Sequence, residues 1–313
     1  MSSPKLKLVN IFLLFLFGSP AILHAQASAP VELLVLGSGG PGAAGRAASS
    51  YLVFIDGSAR ILADAGPGSF ARLGEAQVSL ANTDIVLLTH LHIDHAGELP
   101  GLFKARAVST SGPIVFNVWG PDGSPKGSKG AYFPSTRRFL ELLFAPNGAF
   151  AYLSDFSAPM TLRTHDVAVS DGKNESPRRI FEQGDLVISA IAGHHGDAPA
   201  VIYRIDHAGK SITFSGDIDA AGLPALRKIA KDSDLLVFNS VVLDPPGSPA
   251  VLYTLHTPPR AIGQIAGDAG VHALLLSHLS PATDEMHGAV LASIRKSYAG
   301  PTTFAKDGMR LRP

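Results

Sequence analysis

The stretch Thr89-His90-Leu91-His92-Ile93-Asp94-His95 gathers three imidazoles and a carboxylate behind Asp84 to Leu88, an apolar run that predicts a buried strand. On extended backbone the two-residue step from His90 to His92 points both rings the same way. Asp94 and His95 fall where the chain turns toward a predicted helix beginning near Ala96-Gly97-Glu98-Leu99, so they can face a second point close by. Imidazole nitrogen and carboxylate oxygen suit zinc and similar divalent ions. Titratable groups crowded this closely need a compensating cation, which favours metal ligation over a polar surface loop. The spacing therefore predicts two ions.

Outside this cluster the charge is unpatterned. The 313 residues carry 26 Lys and Arg against 26 Asp and Glu, which gives no sign of a polyanion-binding or membrane-surface protein. Met1 to Ala27 reads as a secretory signal peptide, with Lys5 and Lys7 before the apolar run Leu8 to Phe17 and small residues at Ala25-Gln26-Ala27 for cleavage. That run is too short to span a bilayer comfortably. The expectation is a mature chain of residues 28–313, periplasmic or secreted, with no membrane span after processing. The chain has no cysteine, so disulfides, thiolate ligands and a cysteine nucleophile are excluded, and any ligands are His, Asp or Glu. Without a linker or repeat, residues 28–313 read as one domain.

Further strands are predicted at Val31 to Leu36, Tyr51 to Ile55, Ala59 to Ala63, Ile114 to Trp119, Leu186 to Ile191, Val201 to Ile205, Ser211 to Ser215, Leu235 to Phe238 and Ala273 to Ser277. Helices are predicted around Phe70 to Leu73 and over Ser135 to Ala145, Pro258 to Ala269 and Asp284 to Tyr298. Hairpins mixed with helices imply two sheets covered by helices. Ser154 to Arg179 lacks a clear period and reads as a mobile insertion. Gly37, Gly39 and Gly42 satisfy a G-x-G-x-x-G dinucleotide fingerprint, but only Ala43 to Ser50 separate them from the next strand, too few for the phosphate-binding helix. Asp56 belongs to a hairpin turn, and the glycines are expected to shape a loop bordering the metal site.

Three later strands also end in a potential ligand. They lead into Gly193-His194-His195-Gly196, into Gly216-Asp217 and into His278-Leu279-Ser280-Pro281. Together with T-H-L-H-I-D-H, their order resembles the five-motif pattern of the metallo-β-lactamase superfamily from about Val31 to the end. The resemblance implies an α/β fold, a four-layer αβ/βα sandwich of two mixed β-sheets flanked by helices, with two metal ions between the sheet edges. It implies that His90, His92 and a histidine of the 193–196 turn hold one ion, that Asp94, His95 and His278 hold the other, and that Asp217 bridges them. Adjacent residues on extended chain face opposite ways, so only one of His194 and His195 points inward; the spacing to Pro199 and the Tyr203-Arg204 strand resembles the pattern in relatives and favours His195, with His194 the alternative. Ile61-Leu62-Ala63-Asp64-Ala65-Gly66, Ser215-Gly216-Asp217 and Leu255-His256-Thr257 resemble the ribonuclease Z and arylsulfatase-like branch. That implies His256 as a catalytic proton donor; the alternative is a helix-preceding histidine with Thr257 as cap. Asp64 is expected to orient a metal-bound histidine. His24, His165, His207, His272 and His287 read as ordinary surface or local residues.

The resemblance implies an exported metal-dependent hydrolase that uses a metal-bridging hydroxide, with Asp94 orienting it, to cleave a phosphodiester, sulfate ester or carboxylic ester of a small molecule. The ions are expected to be Zn2+, with Mn2+ or Fe2+ as alternatives. Export and the lack of a basic arm argue against a nucleic-acid substrate. A lactone or β-lactam hydrolase is the rival activity, although lactamases proper lack an Asp at the position of Asp217. A non-catalytic periplasmic metal-binding protein is the rival of another class. Dimers among the relatives leave room for a homodimer.

Overall fold

The computed structural model describes residues 29–42, 45–124, 132–156, 159–169 and 176–313. The expected signal peptide, with His24, lies outside the described residues.

The first half opens with β1 (Val31–Gly37), β2 (Ser50–Ile55) and β3 (Ser58–Ala65), an antiparallel meander. Asp56 and Gly57 both take positive φ, 50° and 80°, as a tight primed hairpin turn requires. After α1 (Ser69–Glu75), β4 (Ile85–Leu87) lies parallel to β3. Helices α2 (Ile93–Ala96) and α3 (Leu99–Ser109) then lead to β5 (Ile114–Pro121), parallel to β4. Helix α4 (Thr136–Phe144) starts where the Ser135 hydroxyl accepts from the Arg138 N–H at 3.2 Å, and leads to β6 (Met160–Val167), parallel to β5.

The second half repeats the plan. An antiparallel meander of β7 (Arg178–Gln183), β8 (Leu186–Ala192), β9 (Val201–His207) and β10 (Lys210–Phe214) comes first. Parallel strands follow: α5 (Leu223–Ile229), β11 (Leu235–Asn239), α6 (Pro259–Asp268), β12 (Ala273–Ser277), α7 (Pro281–Glu285), α8 (His287–Ile294) and β13 (Thr302–Phe304). Finally β14 (Arg310–Leu311) crosses back to pair with β1. The sheets run β14-β1-β2-β3-β4-β5-β6 and β13-β12-β11-β10-β9-β8-β7.

Both faces of each sheet are covered, which is why the central strands read as continuous apolar runs. In β1, Val31, Leu33 and Val35 enter the core between the sheets, with Tyr203, Ile205 and Phe214 opposite. Leu34 and Leu36 face outward to Leu99, Leu102 and Phe103 of α3. On the other flank Ile262 and Ile265 of α6 and Ile294 of α8 cover Leu236, Phe238 and Leu276. The result is the expected layering of helices, sheet, sheet, helices.

Two expectations are corrected. Ser154 to Arg179 is not an unstructured insertion: β6 lies within it, in register with β5 from Ile114↔Met160 to Pro121↔Val167, and β7 begins at its end. Residues 157–158 and 170–175 lie outside the described residues. The predicted helix Asp284 to Tyr298 is instead two shorter ones. The Ser280 hydroxyl accepts from the Thr283 N–H at 3.2 Å and starts α7 early, and Met286, at φ −112° and ψ 31°, breaks the run before α8.

Candidate metal centre

Strands of both sheets end at one edge of the sandwich and deliver their ligands there. Beyond β4 the chain bends at Thr89 and runs to His92, which sits at φ −64° and ψ 152° as the residue before α2. The first turn of that helix then carries Asp94 and His95. Strand β8 leads to His195, β10 to Asp217 and β12 to His278. His278 holds a left-handed backbone at φ 53°. The glycine loop packs on it: a Cβ on Gly40 would lie 2.8 Å from the His278 carbonyl oxygen, so that contact requires glycine, and the expected border to the site is present.

All eight side chains singled out as ligands or catalytic groups converge. His90, His92 and His195 form one set of mutually close donor atoms, and Asp94, His95 and His278 form another. Asp217 lies between them. Its Oδ2 is 3.5 Å from His278 Nε2, 3.7 Å from His95 Nε2, 3.7 Å from His195 Nε2, 4.0 Å from His90 Nε2 and 3.8 Å from His256 Nδ1. His90, His95 and His278 are fully buried, and Asp217 and His195 nearly so.

A set of polar groups behind the cluster aims these donors. Asp64 accepts from His95 Nδ1 at 2.7 Å and from the Thr89 N–H and hydroxyl at 2.8 Å each. The Leu255 carbonyl accepts from His195 Nδ1 at 2.7 Å, which turns Nε2 inward. The Asn239 amide donates to Asp217 Oδ1 at 2.7 Å. His194 points away, half exposed, with its Nδ1 2.7 Å from Asp219. Thr257 does not cap α6: its hydroxyl donates to the Ile218 carbonyl, and the helix follows Pro258. His165 stacks on Trp119, His207 meets Asp56 at 3.0 Å and His287 stacks on Phe304, all within local contacts.

Asn239 and Leu255 are the residues that the sequence reading missed. Asn239 obeys the same rule as the ligands, a polar side chain at the end of an apolar strand, and widening that rule beyond His and Asp finds it. Leu255 acts through its backbone, which carries no side-chain signal.

Electrostatics match the crowding. Burial would raise the Asp217 carboxyl, but His278 and His95 outweigh it and hold it well below the usual range. Burial would lower His95, but Asp64 and Asp217 hold it well above. His90 is pushed well below by burial and by His95, and His92 is lowered by burial and His195. Burial also opposes ionisation of Asp94, yet the His278 hydrogen bond and His95 bring it to about 2. His256 is lowered to about 4 by burial, against Asp217.

The donor set fits divalent metal. Among the described residues, His95 Nε2 and His256 Nδ1 are buried without a hydrogen-bond partner. Two donors about 2.1 Å from a tetrahedral ion stand about 3.4 Å apart. That edge is close to the 3.1 Å of His90 to His92 and the 3.2 Å of His278 to Asp94, and near the 3.7 Å of His95 and His195 to Asp217. The larger separations exceed hydrogen-bond lengths but suit a shared cation. A cavity of about 170 Å³ opens beside His194 and His195. A larger one of about 560 Å³, between Ile93, Phe139 and Phe150, has none of these donors in its lining.

The metallo-beta-lactamase superfamily profile matches residues 43–254, a span that ends before His256 and His278. Ribonuclease Z of Mycobacterium sp. (strain KMS) is 29% identical over 266 residues, covering 80% of this chain and 85% of that protein. Among solved structures, the short form of human tRNase Z superposes with a TM-score of 0.66 at 20% identity, covering 90% of this chain and 99% of that one. A diphosphatase from the PhnP family superposes with a TM-score of 0.56 at 18% identity, covering 90% and 97%. At such identities the structural likeness speaks to fold alone.

Proposed function

The chain belongs to the metallo-beta-lactamase superfamily and is a metal-dependent hydrolase, and from that premise we propose that it is a binuclear enzyme cleaving phosphodiesters. The observation that carries the reading is the placement of Asp217 Oδ2 within 4.0 Å of donors from both ligand sets. His90, His92 and His195 would hold one ion, Asp94, His95 and His278 the other, with Asp217 shared. Bound there, two divalent ions, zinc foremost, would supply Lewis acidity, lowering the pKa of a shared water and polarising the substrate.

The chain's own groups then have distinct tasks. Asp94, ionised at neutral pH, can orient the attacking water or accept its proton. His256 has its Nδ1 3.8 Å from Asp217 Oδ2, which leaves Nε2 for a substrate. There it would donate to the leaving oxygen, the role expected from sequence. Two divalent ions held there would attract and polarise the oxygens of an anionic ester.

The ribonuclease Z relatives support phosphodiester chemistry and weigh against setting nucleic acid aside, so RNA belongs in the test. Among the described residues no helix is long and apolar enough to cross a membrane. Export through residues 1–27 is part of the proposal; a periplasmic or secreted product beginning near residue 28 supports it, and cytoplasmic retention of Met1 refutes it. The substrate experiment compares bis(p-nitrophenyl) phosphate and a short RNA with chromogenic sulfate, carboxylic ester, lactone and β-lactam substrates, with and without chelator. Chelator-sensitive turnover led by a phosphodiester is expected. A carboxylic ester or lactam turned over faster would overturn the assignment.

A further inference from the structure

Resting on the reading of Asp217 as the shared ligand, we propose that Asn239 is a positioning residue that decides which oxygen of Asp217 serves the ions. Asn239 ends β11, opposite Ser277 of β12, and is 5% exposed. Its side-chain nitrogen donates to Asp217 Oδ1 at 2.7 Å. An ionised carboxylate only accepts hydrogen bonds, so chemistry requires the NH2 end of the amide to face it.

The backbone of Asn239 is fastened to the same turn. Its N–H donates to the Ser215 hydroxyl at 3.2 Å, and that hydroxyl donates to the Gly216 carbonyl at 2.8 Å. The amide is thus fixed from below, and one carboxylate oxygen is engaged by it. The other, Oδ2, is the atom that faces the imidazoles at 3.5 to 4.0 Å. Without the amide the two oxygens are equivalent, and the group can rotate to present both to one ion or neither to the midpoint. Beneath the cluster the Tyr51 hydroxyl donates to Ser277 Oγ at 2.7 Å, next to His278, and a second buried carboxylate, Asp64, is taken up by Thr89 and His95. A neutral donor under Asp217 therefore holds its geometry without adding a charge that competes for the ions.

The test measures zinc stoichiometry, affinity by chelator competition, and the zinc-induced rise in Tm over the apo form, for wild type, Asn239→Leu, Asn239→Ser and Asp217→Ala. The Asn239 variants are expected to bind zinc about 10- to 100-fold more weakly and to show a smaller zinc-induced rise. Should the leucine variant fail to fold, the serine variant, which cannot reach Asp217, decides. Equal loss of Tm in apo and loaded forms at unchanged affinity would mark Asn239 as merely structural and overturn the proposal. If Asp217→Ala itself keeps wild-type zinc binding, the shared-ligand reading fails instead.

Discussion

His95 Nδ1 lies 2.7 Å from Asp64 Oδ2, and Asp64 reaches it from a backbone held in the left-handed region at φ 54°. A non-glycine residue rarely adopts that conformation, and here three hydrogen bonds from Thr89 and His95 hold the carboxylate in place. The pair fixes Nδ1 of His95 outward and Nε2 toward Asp94 and Asp217. Asp64→Asn should keep the shape, lose the charge and weaken metal binding by about 10- to 100-fold, read by chelator competition. Unchanged affinity would mean that the carboxylate serves only the turn.

His256 sits against Asp217 and, with His195 and Asp217, makes a further set of mutually close donors, but it belongs to neither the His90-His92-His195 set nor the Asp94-His95-His278 set. Replacing it with Gln should lower kcat by about 10²- to 10⁴-fold, with little change in KM and full metal content. Metal analysis checks this directly, because loss of an ion from that variant would make His256 a ligand rather than a donor.

Asp234, away from the site, should add an acid sensitivity of its own. Burial would raise the Asp234 carboxyl, but hydrogen bonds from the Ser211 hydroxyl and N–H, both 2.9 Å, and the Lys210 ammonium hold it below its ordinary value of 3.8. A carboxylate lowered by folding stabilises the native state above its unfolded value, and that stability is lost as pH falls through the folded value. Asp234→Asn should therefore cost about 2 kcal/mol at neutral pH, with the gap from wild type closing below about pH 4. Urea melts across pH 3 to 7 measure it; a gap constant with pH would assign the loss to packing.

The parts of this molecule legible in the sequence share one property, burial on both sides. Strands such as β1 and β12 are apolar but for Glu32 and Ser277, because helices cover one face and the second sheet the other. Strand β6 escaped because it is an edge: Thr161, Arg163 and His165 are exposed, so its alternation is diluted. Strands β13 and β14 span Thr302–Phe304 and Arg310–Leu311, too few residues for a period, and are defined by their partners β12 and β1. Helix α5, at Leu223–Ile229, is also too short to announce itself.

The site divides along similar lines. Alternation allows only one of His194 and His195 inward, and the resemblance in spacing to Pro199 and the Tyr203-Arg204 strand favours His195; the structure turns His195 inward and His194 toward Asp219. Side chains that end strands were readable because ligand chemistry restricts their type. The carbonyl of Leu255 was not, since any residue supplies one.

The central claim is that Asp217 joins two ions in one catalytic centre, and the most direct measurement is metal-dependent reactivation of the chelated protein. Apo enzyme is titrated with zinc while bound metal and phosphodiester hydrolysis are followed together, beside Asp217→Ala. Activity is expected to appear with the second equivalent per chain, and the variant is expected neither to retain two ions nor to recover turnover. Full activity at one equivalent, or an Asp217→Ala protein that binds two ions and turns over normally, would contradict it.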